Sequence, residues 1–285
     1  MKPHPPACPT SGPGPNRLRL RLLVAYDGGA FDGWQSQASG NTVQDALERA
    51  VTFLVGERCP VHGSGRTDAG VHALGQVAHV DIPPCRIPPD AWEGALNGHL
   101  PRAVRILSAK KAAPGFHARF SATGKIYTYR VCNARCLHPL EIGRVWHVPS
   151  SIDLGALQQA AEILSGSHDF AAFAANRGKP DENTVRTIHQ IAVKRAGQIL
   201  SLRFEGDGFL YRMVRLLTGS MVRMAQGKET LDWLRAFIDS PETRKTSYCA
   251  PAQGLCLTRV VYGQKRGTPK TKSALAATTT PEATS

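Results

Sequence analysis

The chain has 285 residues, enough for one large domain or two smaller ones with substantial cores. Thirty-five Lys and Arg against 22 Asp and Glu give a net charge of +13. The two ends hold only four of those charges, so the surplus belongs to the body and points to a polyanionic partner, most plausibly nucleic acid. No apolar run reaches the length of a membrane span, and the Pro-rich start lacks the apolar core of a secretory signal. The seven Cys are scattered and the ten His fall in no ligand spacing, which argues against a zinc module or a disulfide scaffold. A reduced, cytoplasmic protein without a metal site is expected.

Residues 1–16 and 263–285 are rich in Pro, Thr and Ala and are expected to be disordered tails, the second of them basic. Arg17-Leu18-Arg19-Leu20-Arg21-Leu22 alternates strictly, which predicts a strand with one apolar and one basic face. Thr42 caps a predicted helix that carries Val43, Ala46, Leu47, Ala50, Val51 and Leu54 on one side. Strands near 59–63 and 75–82, a helix introduced by Pro88-Pro89-Asp90 and a strand near 103–109 complete a first half. The second half opens with a strand near 125–132 and a helix from Asp153 closed by Gly166. Strands near 186–195 and 198–205 follow, then a helix from Phe209 to Ala225, a shorter one from Leu231 to Ile238, and a strand near 255–262.

Each half therefore reads β-α-β-β-α-β. The expected fold is α+β: two ferredoxin-like or RRM-like subdomains, residues 17–115 and 116–262, forming a mostly antiparallel sheet with a basic cleft between them. The repeat is one of element order, since no sequence motif recurs.

The most specific stretch is Gly63-Ser64-Gly65-Arg66-Thr67-Asp68-Ala69-Gly70-Val71-His72-Ala73. It sets one carboxylate, Asp68, in a Gly-flanked turn with a cation, Arg66, two residues before it. An Asp at such a boundary commonly serves as a turn-former or cap. The glycines also permit a tight, exposed excursion that presents the carboxylate to a ligand as nucleophile or general base. Nucleotide-loop readings fail. Gly65 and Gly70 have P-loop spacing, but Val71-His72 stand where Lys and a hydroxyl residue are required. Asp68 also occupies the place of the third glycine of a dinucleotide fingerprint.

A second cluster, Phe116-His117-Ala118-Arg119-Phe120, leads into Lys125-Ile126-Tyr127-Thr128-Tyr129-Arg130, interleaving rings and cations as surfaces that stack bases do. Tyr127 and Tyr129 share a strand face, and Tyr129 is the expected core residue. Arg215 sits in an apolar helix, where it needs an acidic partner that the sequence does not identify. Arg223 reads as an exposed or C-terminal helix charge.

From about Leu18 to Tyr262 the chain resembles the bacterial tRNA pseudouridine synthase A family. The resemblance rests on Ala25-Tyr26-Asp27-Gly28 with Gly33-Trp34-Gln35, on Gly65 to His72, on Phe116 to Ala122, and on Arg212-Met213-Val214-Arg215. Cys249 departs from it, because the family commonly has Thr there. The resemblance implies an isomerase that converts uridine to pseudouridine at positions 38, 39 and 40 of the tRNA anticodon stem-loop. It also implies a homodimer in which one tRNA contacts both subunits, with no cofactor and no metal. Asp68 would be the nucleophile, Arg215 its partner, and Tyr127 the ring stacked on the target base. Arg66 would displace the base and hold the flipped nucleotide, with Phe116, His117, Arg119 and Phe120 as further substrate contacts. Two alternatives compete: a catalytically silent tandem RNA-binding module, and an Asp-dependent nucleoside hydrolase. The first leaves a carboxylate where phosphate repulsion would weaken binding, and the second lacks the usual acidic cluster.

Overall fold

The computed structural model describes residues 14, 16–175 and 183–263. The two tails fall almost wholly outside these residues. Ten strands form one open sheet: β1 (Leu18–Tyr26), β2 (Val61–Gly63), β3 (His72–Ile82), β4 (Val104–Lys111), β5 (Ala122–Cys132), β6 (Trp146–His147), β7 (Gly166–Asp169), β8 (Val185–Ala196), β9 (Ile199–Gly206) and β10 (Leu255–Tyr262). Five helices accompany it: α1 (Val43–Val55), α2 (Trp92–His99), α3 (Leu154–Leu164), α4 (Met213–Ala225) and α5 (Leu231–Asp239).

The sheet runs β4-β1-β3-β10-β5-β9-β8-β7, with β2 added on β3 and β6 on β5. Both halves obey the same rule. Within β1, β2, β3 and β4 the order is fourth-first-third-second, and it recurs within β5, β8, β9 and β10. All pairings are antiparallel except β3 with β10 and β5 with β6. The β3–β10 seam joins the halves through two residue pairs, Cys256 with His72 and Leu257 with Ala73.

Local chemistry sets these elements. Thr42 adopts an extended backbone and its hydroxyl accepts from the Asp45 N–H, while Gly56 ends α1 in the left-handed region at φ 78°. Asp153 caps α3 in the same way through the Ala156 N–H. Leu20, Leu22 and Val24 of β1 are buried with Val77, Val80 and the α1 residues Val43, Leu47 and Val51 in one continuous core. That core extends through Tyr129 and Phe204 to α3 and α4.

The structure corrects several expectations. The basic face of β1 is not all exposed. Arg19 is buried and pairs bidentately with Asp81, its cross-strand neighbour, at 2.7 and 2.6 Å, and also donates to the Pro114 and Phe116 carbonyls. Ser165 rather than Gly166 caps α3; Gly166 opens β7. Helix α4 begins at Met213 rather than Phe209, because Arg212 takes a left-handed conformation (φ 60°) that the helix cannot include. Arg223 is half-buried, paired with Glu229 at 3.0 Å and stacked on Tyr248.

Candidate active site

The eight residues between β2 and β3, 64–71, form a loop that the strand after them could not hold alone. The segment after β1 clamps it. Trp34 N–H donates to the Thr67 carbonyl at 3.1 Å, Gly70 N–H to the Gly28 carbonyl at 3.2 Å, and the Tyr26 and Thr67 hydroxyls bond at 2.8 Å. A Cβ on Gly28 would collide with the Val71 backbone, and one on Gly63 would lie 2.5 Å from the Trp34 ring. These glycines are therefore surfaces for close approach, while Gly70, at φ 80°, supplies the turn.

The clamped loop holds Asp68 at the N-terminal end of α4. Arg215 Nη1 lies 2.9 Å from Asp68 Oδ2, and its Nε donates to the Ala250 carbonyl at 2.8 Å. The Ala250 N–H in turn donates to the Arg215 carbonyl at 3.1 Å, so the arginine is fixed at both ends. Only 14% and 16% of the two side chains remain exposed. The acidic partner that Arg215 needs is thus Asp68, 147 positions away. Arg212 Nε stands 4.0 Å from the same Oδ2. Oδ1 has no hydrogen-bond partner among the described residues. Arg66 makes no ion pair with Asp68; it is exposed and its Nε donates to Gln35 Oε1 at 3.0 Å.

Asp68 opens into a cavity of about 740 Å³. Tyr127 lines it, 8% exposed, with its ring edge-on to Phe209 at 5.3 Å. Burial, reinforced by Tyr26 and then Asp68, pushes the Tyr127 phenol well above its ordinary range, so the ring enters as a neutral aromatic. Tyr129 is fully buried and donates to the Pro251 carbonyl at 2.7 Å, as a core residue does.

The second cluster divides. His117, Arg119 and Phe120 line the cavity, with the His117 ring 4.4 Å from Phe120 and its Nδ1 accepting from the Arg119 and Phe120 N–H groups. Phe116 does not line it. Its ring packs on Tyr262 at 5.2 Å under the Arg21 guanidinium. Behind the cavity wall His79 of β3 stacks on His62 at 5.0 Å and meets His117 at 4.6 Å. Burial, with the neighbouring His117 and His62, pushes the His79 imidazole down to about 3, so it is held neutral.

Sequence reasoning missed three cavity residues: Arg212, Lys125 and Arg186 of β8. Arg212 carried a signal in its place beside Arg215. Lys125 and Arg186 looked like ordinary strand charges, and only the pairing of β5 with β9 and β9 with β8 brings them to one wall.

A model of the tRNA pseudouridine synthase family matches residues 22–121 and 160–263. A protein of Akkermansia muciniphila named tRNA pseudouridine synthase A is 50% identical over 254 residues, covering 87% of this chain and 96% of its own. A protein of that name from Paramagnetospirillum magneticum is 41% identical over 250 residues (87% and 97%), and one from Caulobacter vibrioides is 43% identical over 246 residues (86% and 99%).

Proposed function

The chain belongs to the tRNA pseudouridine synthase family, and on that premise we propose that it isomerises uridine to pseudouridine at positions 38, 39 and 40 of the tRNA anticodon stem-loop, with Asp68 as nucleophile. That it is an isomerase acting on tRNA follows from the family; the positions and the residue roles are our reading. The observation that carries the assignment of Asp68 is its asymmetry. Oδ2 is held by Arg215 while Oδ1 faces the cavity chemistry without a partner, as a nucleophilic oxygen requires.

The reaction balances without oxidant or water. The bond from sugar C1′ to uracil N1 breaks, the base turns, and C5 bonds to C1′; C5 gives up its proton to water and N1 takes one. Asp68 is the only acid lining the cavity among the described residues, so no second carboxylate stands ready to activate water for hydrolysis. A uridine inside a stem-loop must leave its stack, which costs a few kcal/mol. Stacking on the Tyr127 ring returns about 1–3 kcal/mol of that. Arg66, exposed at the rim, displaces the base and holds the flipped nucleotide, while His117, Arg119 and Phe120 contact its neighbours.

The same reading takes the two halves as ferredoxin-like subdomains, 17–115 and 116–262, with the cavity as the basic cleft between them. It also includes work in the cytoplasm as a homodimer. The exposed Leu74, Leu140 and Ile142 offer apolar contact for a second copy, since the His72 ring reaches Gly143 O and brings their two segments together. Sedimentation velocity at micromolar concentration should give twice the chain mass, and a monomer would remove the dimer from the reading.

The deciding experiment uses unmodified tRNA labelled with tritium at uracil C5. Wild type should release tritium to water with the RNA chain intact, and Asp68→Asn should bind without release. Normal release by Asp68→Asn would reject the nucleophile. Binding without release by wild type would leave an RNA-binding module.

A further inference from the structure

Five cations line the cavity, Arg66, Arg119, Lys125, Arg186 and Arg212, against the single carboxylate of Asp68. Asp68 is already committed to Arg215. Four of the five have a partner or an open surface: Arg66 bonds Gln35, Arg212 approaches Asp68, Arg186 donates to the Asn183 and Val185 carbonyls, and Arg119 is exposed beside Phe120. Lys125 differs. It points inward from β5, and its Nζ lies 2.5 Å from where a Cβ on Gly65 would stand, against the loop that carries Asp68. Among the described residues it has no hydrogen bond and no ion pair.

A half-buried ammonium without a partner is destabilising, and two neighbouring guanidinium groups make it worse. Burial first, then Arg119 and Arg186, pushes the Lys125 ammonium down to about 8. A fold that keeps such a group three residues from its catalytic carboxylate is complete only when an anion enters.

We propose that Lys125, with Arg119 and Arg186, forms a phosphate-binding subsite that seizes the RNA backbone phosphate adjoining the target uridine, and so sets the depth at which that uridine meets Asp68. Phosphate suits the site better than a uracil carbonyl, because three converging cations call for a charged group and a carbonyl oxygen satisfies only one of them. Gly65 belongs to the subsite as well. Any side chain there would occupy the place of the ammonium. The inference rests on the reading of the cavity as the uridine site.

The test measures kcat/KM by tritium release from a labelled stem-loop, unmodified or with a neutral methylphosphonate 5′ or 3′ of the target uridine. Lys125→Met should lower kcat/KM roughly tenfold and flatten its dependence on log salt by about 0.7, as expected for one lost phosphate contact. One of the two methylphosphonates should cost wild type a similar factor, and in Lys125→Met that same substitution should cost little more. Lys125→Arg should keep most of the activity and the salt slope. The melting temperature of Lys125→Met should equal or exceed that of wild type, because an unpaired cation has been removed; a structural lysine would lower it. Losses that simply multiply, or an unchanged salt slope, would overturn the subsite. Absence of release by wild type from the unmodified stem-loop would instead overturn the uridine-site reading beneath it.

Discussion

The two halves share a strand order, yet their second hairpins differ completely. In the second half β8 and β9 pair along their length and turn through Gly197 and Gln198, with Gly197 at φ 56°. In the first half β2 pairs with β3 through three residues only, and eight residues separate them. Those eight include Arg66, Thr67 and Asp68. Pairing given up in one hairpin is what frees a loop to carry chemistry, and the backbone bonds lost there are recovered from Gly28, Trp34 and Tyr26 of a preceding segment. The short hairpin is a structural turn; the long one is a site that needs a clamp.

Mutations should separate the two connections. Asp68→Asn in the long connection should lower tritium release roughly a thousandfold or more, whereas Gln198→Ala at the matching place should leave it within about twofold. Equal effects would break the comparison. Arg215→Leu should cost about 2–3 kcal/mol in thermal unfolding, because it strands the Asp68 charge in a partly buried site, and should impair release as well. An unchanged melting temperature and rate would remove the ion pair from any role. Gly28→Ala should cost about 2 kcal/mol by forcing the Val71 backbone away from its clamp, with the loss of hydrogen-exchange protection concentrated at residues 64–72. Protection lost evenly across the sheet would mean that the clamp serves the whole fold.

Acid should also act unevenly. His79 titrates near 3 when folded and near 6.5 when unfolded, so the unfolded chain binds the extra proton as pH falls below 6.5. Stability from this group is whole above pH 6.5 and declines by about 1.4 kcal/mol per pH unit toward pH 3. Between pH 6.5 and 5 exchange should quicken in β3 before β8 and β9, and His79→Gln should flatten the slope. The smallest effect should come from two residues inserted between Gly197 and Gln198, under about 1 kcal/mol, since loop closure grows slowly with length.

Strand alternation in β1, the Thr42 and Asp153 caps and the helix faces were all legible, because each is decided within a few residues. What escaped notice was short or long-range. β6 and β7 have two and four residues, too few for a period to show. The burial of Arg19 depends on Asp81, 62 positions on, and the wall that joins Lys125 to Arg186 depends on strand neighbours far apart in the chain. At the candidate site the Gly-flanked carboxylate was visible at once. The partner of Arg215 entered only through family resemblance, since nothing in residues 209–225 names it. Phe116 was placed among the substrate contacts by its position beside His117, but strand geometry turns its ring toward Tyr262.

The seam between the halves has a temporal meaning. β10 lies between β3 and β5, and it is the last described strand in the chain. A nascent polypeptide leaving the ribosome would expose Asp68 long before Arg215, and Arg215 before the strand that ties their two sheets together. Until residues 255–262 emerge, carboxylate and guanidinium belong to separate bodies. The growing chain is thus silent toward the tRNAs that crowd the site of its own synthesis, and it acquires its reactive pair only at the end of translation.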